Sequence, residues 1–453
     1  METLTALLKD VRDFIGGTPL IVALLGTGLW LTLSLRGLQF RRLGHALALA
    51  FFRRVDRSQP GDISHFQALM TALSATVGTG NIAGVAAAIA VGGPGALFWM
   101  WVTGLLGMAT KYSEAVLAVK YRIVDTNGNM AGGPMYYIAR GLGWRWLGVV
   151  FALFAAIAAF GIGNLVQSNQ IAQSVEDAFG VPRWATAVTL MALTAMVILG
   201  GIKSIGRVTA FLVPIMIVFY TVTALVILAL YVDRIPEAFA LIFREAFTAT
   251  AGVGGFLGAT LMVTVREGVA RGLFSNESGL GSSPIAAAAA RTKDPTTQAL
   301  VSMTQTFIDT ICVCTLTGLV IVVTGVWGSG LRDAPLTQEA FATGIGSELG
   351  RSVVSIGLVL FAYSTVIGWS YYGERSVLYL AGERAIRPYR YAWVGVAGFA
   401  AVIYKVDSVW HFADIANSFM AFPNLLGLLL LTPVIVRETR TYFEARASGP
   451  DSA

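Results

Sequence analysis

The sequence predicts an all-α integral membrane protein of about 11 transmembrane helices: a five-plus-five inverted repeat, each half headed by a discontinuous helix, preceded by one extra N-terminal helix. Three observations predict it. The 453 residues are 55% hydrophobic and only 13% charged, with a mean hydropathy of +0.69, whereas soluble domains are about 25% charged. Basic residues crowd into alternate connecting segments. Two of the apolar runs are interrupted at matching places by Gly, Ser, Thr and Asn.

A helix crossing a bilayer takes about 20 mostly apolar residues. The first such run is 18–35. Mixed charge precedes it and no small-residue cleavage site follows, so it reads as a retained helix, not a cleaved leader. Further runs lie at 66–91, 95–119, 146–172, 184–201 and 208–232, then at 266–290, 298–326, 353–380, 391–404 and 410–436, with 391–404 the shortest. Between the halves, 233–265 mixes charged residues with a Gly-rich apolar stretch and reads as an external lid. Residues 1–60 thus hold the N-terminal helix and a basic loop, and 61–250 the first repeat with the start of the lid. Residues 251–436 hold the rest of the lid and the second repeat, and 437–453 form a cytoplasmic tail.

With the N-terminus placed outside, 20 of the 32 basic residues fall in cytoplasmic segments, including Arg41, Arg42, Arg122, Arg291, Arg384, Arg387 and Arg390. The opposite segments hold 7: Lys9, Arg12, Arg183, Arg234, Arg244, Arg332 and Lys405. This asymmetry is the positive-inside pattern, and an error of one span would scramble it. The net charge of +6 therefore reflects topology and not a nucleic-acid partner. The expected location is a cell membrane, a bacterial inner membrane, in contact with lipid. Cys312 and Cys314, two apart in an apolar run, form neither a disulfide framework nor a metal site.

The first interruption is Ser74-Ala75-Thr76-Val77-Gly78-Thr79-Gly80-Asn81. Each glycine costs a helix interior about 1 kcal/mol relative to alanine. Asp62 or Ser64 can cap this helix, and Asn81 a second half-helix near mid-membrane. The second interruption runs from Gly272 to Pro284 and contains Ser275, Asn276, Glu277, Gly279 and Gly281. Irregular backbone survives in hydrocarbon only where it lines a protein cavity. Two such segments, each in the first helix of a five-helix half, predict one shared site at the repeat interface. Half-helix N-termini offer N–H groups to a carboxylate, and unwound carbonyls and hydroxyls offer oxygens to a small hard cation.

At these residues the chain resembles the alanine or glycine:cation symporter family. The resemblance is carried by Gly78-Thr79-Gly80-Asn81-Ile82-Ala83-Gly84-Val85, Gly132-Gly133-Pro134-Met135-Tyr136-Tyr137, Gly161-Ile162-Gly163-Asn164-Leu165-Val166-Gln167, Gly272 through Gly281, and Ile367-Gly368-Trp369-Ser370-Tyr371-Tyr372-Gly373-Glu374. It implies the LeuT-type fold, alternating access, and sodium-coupled uptake of alanine, glycine or a similarly small neutral amino acid, with proton coupling as the alternative. No covalent cofactor is implied; Na⁺ is the coupling ion. The resemblance places the substrate carboxylate on the N–H groups around Thr79, Gly80 and Asn81, and the ammonium on Gln167. Phe274, Ser275 and Asn276 form the opposite wall, with Thr365 and Trp369 on one face of their helix. Sodium falls to carbonyls near Ser74 and Val77 and the hydroxyls of Ser364 and Thr365. Such neutral oxygens suit Na⁺ better than Mg²⁺. Trp369 and Phe274 leave room for little beyond a methyl group.

Ionisable residues inside spans are functional by default. Lys111 with Glu114, and Glu267 with Arg271, have the spacing of helical ion pairs. Glu374 and Arg375 fall toward an inner gate. Glu277, Asp309 and Asp414 have no partner at helical spacing, and Glu277 reads equally as a backbone anchor or a cation attractor. His45 and His65 are interfacial, and His411 is a candidate pH-sensitive gate. No histidine or lysine is placed to activate Ser282 or Ser283, so an intramembrane hydrolase is disfavoured. A channel is the other alternative, since broken helices also line pores; the two-half arrangement with hydrogen-bonding groups for an amino-acid backbone favours a transporter over it.

Overall fold

The computed structural model describes residues 15, 17–52, 58–248, 261–404 and 407–448. Residues 249–260 of the expected lid, with Lys9, Arg12, Arg53, Arg54, Arg57 and Lys405, lie outside the described residues, as does the side chain of His411. The described chain is helical apart from a short antiparallel hairpin of β1 (Ile123–Val124) and β2 (Met130–Ala131) and its loops.

Helix α1 (Thr18–Ser34) precedes the first half. That half comprises the broken pair α2 (His65–Thr76) and α3 (Val85–Gly92), then α4 (Ala96–Lys120), α5 (Arg145–Phe179), α6 (Arg183–Ile198) and α7 (Gly201–Leu230). The second half comprises α8 (Leu261–Asn276), broken before the short helix Pro284–Ala287, then α9 (Pro295–Thr324), α10 (Leu349–Ala381), α11 (Ile386–Val402) and α12 (Asp407–Leu430). The expected last span ends at Leu430, where the chain turns into α13 (Thr432–Ala447). Among the described residues, five helices are by themselves long and apolar enough to cross a membrane, and two bent pairs bring the number to as many as seven. The other four expected spans, α4, α6, α8 and α11, are shorter, broken or more polar. Exposed Leu29 and Leu33 on α1, with Phe211, Val218, Val222 and Leu225 on α7, form an apolar exterior suited to lipid.

Two groups of helices position the site. The broken helices pack with α4 and α9, while α5 packs on α10 and α6 on α11. Ser64 caps α2 by accepting the Gln67 N–H at 3.1 Å, and the Gln67 side chain accepts the Ser64 N–H at 3.0 Å. Between the halves, Ile235–Glu245 is a helix whose Phe243 and the following Phe247 pack edge-on against Phe98.

The two faces of the bundle differ. On the face carrying Arg122 and Arg291, the ends of the two broken helices are joined by backbone. Asp62 N–H donates to the Ala289 carbonyl and Arg291 N–H to the Ile63 carbonyl, both at 2.8 Å. Arg122 donates to the carbonyls of Ala288 (2.8 Å), Ala290 (2.7 Å) and Thr292 (2.5 Å). Burial pushes the Asp62 carboxyl above its usual range, and the Met130 N–H it accepts at 2.8 Å works against that. The opposite face opens into a vestibule of about 1060 Å³ reaching down to Thr79, Gly80 and Phe274.

Candidate functional site

The first break is built by one side chain. Asn81 Oδ1 accepts the Gly78 N–H at 2.9 Å. In an unbroken helix that N–H would bond to the carbonyl four residues back, that of Ser74. The Ser74 carbonyl instead accepts the Ser364 hydroxyl of α10 at 3.1 Å. Ser364 and Thr365 also donate to the Phe361 carbonyl, at 2.8 and 3.0 Å. A Cβ placed on Gly78 would stand 2.8 Å from Thr365 Oγ1, so this stretch of backbone lies directly against α10. Val77, fully buried, ends α2 in extended conformation. The four expected sodium residues thus come together where α2 ends on α10. Their oxygens are neutral, and the described residues contain no cluster of three or more His, Cys, Asp or Glu side chains able to hold a metal.

The second break turns on Glu277, held at φ +54°, with Gly279 and Gly281 at φ +91° and +83°. Left-handed backbone at a non-glycine residue needs support from its surroundings. Here the support is dense. Glu277 Oε1 accepts the Trp369 indole N–H at 3.0 Å and Oε2 accepts the Ser282 hydroxyl at 2.5 Å. Lys111 Nζ donates to the Glu277 carbonyl at 3.0 Å and to Ser283 Oγ at 2.6 Å. Glu114 Oε1 accepts the Gly281 N–H at 3.0 Å and Asn424 Nδ2 at 2.7 Å. Lys111 and Glu114 stand 4.0 Å apart, and both spend their hydrogen bonds on the broken backbone rather than chiefly on each other.

Between the breaks lies a small cavity of about 20 Å³, bordered by Thr76, Gly78, Thr79, Gly80, Ile162, Gln167, Phe274, Glu277, Leu280, Thr365, Trp369 and Asn417, with Ala75. That volume is close to one water-sized sphere, and a methyl group is of similar size. Thr79, Gly80, Phe274, Leu280 and Asn417 also border the vestibule, so they form the neck between the two spaces. A Cβ on Gly80 would lie 3.3 Å from Ser275 Cα, which brings the two broken helices into near-contact. Gly163 admits Trp369 in the same way: its Cβ would fall 2.3 Å from Trp369 Cβ. Trp369 is 1% exposed. α5 passes the site in a π-helical stretch, Ala159–Val166, a distortion frequent at functional sites. Gln167 Nε2 donates to the Ile162 carbonyl at 3.2 Å, while Gln167 Oε1 is buried without a hydrogen-bond partner.

Six of the nine expected substrate residues therefore border the cavity: Thr79, Gly80, Gln167, Phe274, Thr365 and Trp369. Asn81, Ser275 and Asn276 do not: Asn81 and Ser275 bond a buried carboxylate, and Asn276 bonds the Thr310 hydroxyl beside it. Asp309 of α9 accepts Asn81 Nδ2 at 2.7 Å, the Ser275 hydroxyl at 2.9 Å and the Thr310 hydroxyl at 2.8 Å. Asn276 Nδ2 donates to Thr310 Oγ1 at 3.2 Å, and its Oδ1 accepts the Ser278 N–H at 2.9 Å. Asn81 N–H is likewise turned back to the Gly78 carbonyl at 3.2 Å. These three side chains are spent on shaping the breaks. Sequence reasoning missed Asn417 on the cavity wall; its one signal was an amide side chain inside an apolar span.

On the closed face, Arg375 bonds Glu374 at 2.7 Å and Asp125 at 3.2 Å, and Arg390 bonds Glu374 at 2.6 Å. The hairpin carrying Asp125 also binds Glu383, through Thr126 N–H at 2.7 Å and Asn127 Nδ2 at 2.8 Å. Glu267 and Arg271 stand 4.0 Å apart at the vestibule wall, which Asp414 also borders.

The whole chain, residues 1–453, matches the sodium:alanine symporter family. A relative described as the sodium/alanine symporter AgcS, from Methanococcus maripaludis, is 54% identical over 99% of this chain and 99% of its own length. A transporter from Haemophilus influenzae is 50% identical over 98% of this chain and 97% of its own. Among solved structures, MhsT in complex with L-phenylalanine matches with a TM-score of 0.53 at 12% identity, covering 85% of this chain and 99% of that one. That likeness concerns the fold, which is of the LeuT type.

Proposed function

This chain belongs to the sodium:alanine symporter family, and from that premise we propose that it imports alanine, glycine or a similarly small neutral amino acid together with Na⁺. It is a multi-pass membrane transporter, not an enzyme. We place its N-terminus outside and its C-terminus in the cytoplasm of a cell membrane, on the distribution of basic residues. The vestibule then faces outside, and the chain stands in an outward-open state.

One observation carries the reading of the site. Gln167 Oε1 is buried, unpartnered, and on the wall of the cavity between the two breaks. An unsatisfied buried acceptor costs about 1–3 kcal/mol, and an incoming ammonium group relieves that cost. The carboxylate goes to Thr79 and Gly80, which open the second half-helix, where N–H groups lack intrahelical partners. A methyl side chain matches the small space under Trp369. Discrimination by one methylene is worth only about 1–3 kcal/mol, so preference among small amino acids is graded. Na⁺ binds the Ser74 and Val77 carbonyls with the Ser364 and Thr365 hydroxyls, holding α2 against α10. Substrate binds the same break two residues further on. Each ligand orders backbone that the other needs, and such coupling is reciprocal.

Proteoliposomes containing the purified protein should concentrate labelled alanine only under an imposed Na⁺ gradient. Accumulation driven by a H⁺ gradient in Na⁺-free buffer would replace sodium by proton as the coupling ion. Downhill equilibration alone would sink symport. Gln167→Ala should abolish most uptake while leaving a monodisperse protein, and unchanged alanine affinity would remove Gln167 from the site.

A further inference from the structure

The neck of the site contains a second acceptor of the same kind as Gln167. Asn417 lies on α12, the last helix of the second half, and borders both the small cavity and the vestibule. Its Oδ1 is buried and has no hydrogen-bond partner among the described residues. Two unpartnered amide oxygens on the wall of one small cavity are unusual, since buried polar atoms are as a rule satisfied. They belong to helices from opposite halves of the chain, α5 and α12. An ammonium group has three N–H donors and no acceptor, so one carbonyl oxygen leaves it undersatisfied on leaving water. Glu277, the carboxylate on the same wall, already accepts from Trp369 and Ser282 with its two oxygens.

We infer that Asn417 is a substrate-binding residue, its amide oxygen taking a second N–H of the substrate ammonium beside Gln167. The inference rests on the proposed amino-acid symport and deepens it: it makes the recognised group a primary ammonium. α12 already lies tightly on α5, since a Cβ on Gly161 would stand 2.5 Å from Ala413 Cβ and Phe154 stacks on Phe419 at 4.9 Å, so both amides are held at the site before substrate arrives. Phe274 and Leu280 border the same neck as apolar groups that offer no competing side-chain acceptor.

The test uses the full chain in proteoliposomes under a Na⁺ gradient, with L-alanine and N,N-dimethyl-L-alanine as probes. Asn417→Ala should raise the KM for alanine by about 10- to 100-fold, the worth of one hydrogen bond to a charged group, with a smaller change in Vmax. N,N-dimethylation leaves a single ammonium N–H, which cannot serve both amide oxygens. The wild type should therefore discriminate against N,N-dimethyl-L-alanine, and Asn417→Ala should lower that discrimination several-fold. Asn417→Asp keeps an acceptor oxygen and should recover alanine KM toward the wild-type value. A folded Asn417→Ala protein whose KM lies within two-fold of wild type overturns the inference, and so does a raised KM with unchanged discrimination, which marks a merely structural role. If the alanine variant does not fold, folded Asn417→Asp decides: retained affinity and discrimination support the inference, and lost affinity overturns it. Failure of the underlying symport reading looks different, since the wild type itself then fails to concentrate alanine. Normal wild-type uptake, with loss only in Gln167→Ala, leaves symport standing and removes Asn417 alone.

Discussion

Replacing Glu277 separates its two readings, anchor and cation attractor. The side chain makes two buried hydrogen bonds, to the Trp369 indole at 3.0 Å and to the Ser282 hydroxyl at 2.5 Å. Glu277→Ala removes both and strands the indole N–H, because Trp369 is 1% exposed and water has little access to it. Two buried hydrogen bonds are worth about 1 kcal/mol each, and an unsatisfied buried donor costs about 1–3 kcal/mol more. These sum to about 3–5 kcal/mol, of which even the lower end reduces the population of the binding-competent pocket by about 100-fold, and apparent affinity falls with it. The assay is alanine uptake in proteoliposomes at varied alanine and varied Na⁺. Glu277→Ala should raise alanine KM by about 100-fold or more on this arithmetic. Glu277→Gln keeps an oxygen for the indole and an amide that the freely rotating Ser282 hydroxyl can meet. It should keep KM within about ten-fold, a loss of one charge-assisted contact, and leave the Na⁺ half-saturation almost unmoved. A large rise in that half-saturation for Glu277→Gln, with alanine KM unchanged at saturating Na⁺, would refute the anchor and restore the attractor.

Three further outcomes follow from distances on the same walls. Ser364→Ala leaves the Ser74 carbonyl without its present partner and removes a proposed sodium ligand; the Na⁺ half-saturation should rise about ten-fold, the loss of one contact to an ion, and direct Na⁺ titration checks it. Gly163→Ala places a methyl 2.3 Å from Trp369 Cβ, so uptake should fall about 5- to 150-fold, by the overpacking cost of about 1–3 kcal/mol, in a protein that still purifies; unchanged kinetics would mean that the indole has room to move. Arg375→Ala strips Glu374 and Asp125 of a shared partner, which should weaken the closed face and lower the steady-state accumulation of alanine through leak; accumulation equal to wild type would deny this network a gating role.

The breaks were legible because they announce themselves locally. Glycine, serine and asparagine in the middle of an apolar run have few physical justifications in lipid, and their matching places in the two halves identified one site before any contact was known. The partners that hold the breaks were not legible. Lys111 reaches the Glu277 carbonyl, Trp369 the Glu277 carboxyl and Asn81 the Asp309 carboxyl, each between residues far apart in sequence. Helical spacing pairs Lys111 with Glu114 because three residues bring them to one face; it cannot register that both are drawn away by backbone groups on another helix. The same blindness hid the side-chain partners of Asn81, Ser275 and Asn276. A polar residue in a broken helix can face the cavity or the partners that keep the helix broken, and the choice depends on Asp309, a carboxylate some thirty residues beyond the second break.

The distribution of bonds also says why an ion is needed to run such a site. The closed face is held by the backbone bonds from Asp62 to Ala289 and from Arg291 to Ile63, by Arg122, and by the Asp125, Arg375, Glu374 and Arg390 network. At about 0.5–1.5 kcal/mol net for each neutral bond, opening that face costs several kcal/mol. A substrate that contacts both states equally can offset none of it, since only differential affinity moves an equilibrium. The proposed sodium site lies where such a difference can arise. Because Asn81 withholds the Gly78 N–H from Ser74, the Ser74 carbonyl is bound by a hydroxyl of α10. On the proposed assignment, an ion entering this junction competes for that carbonyl and so changes how α2 is held on α10, while the amino acid binds two residues along. Under that assignment coupling needs no long pathway between the two ligands, because one broken turn serves both.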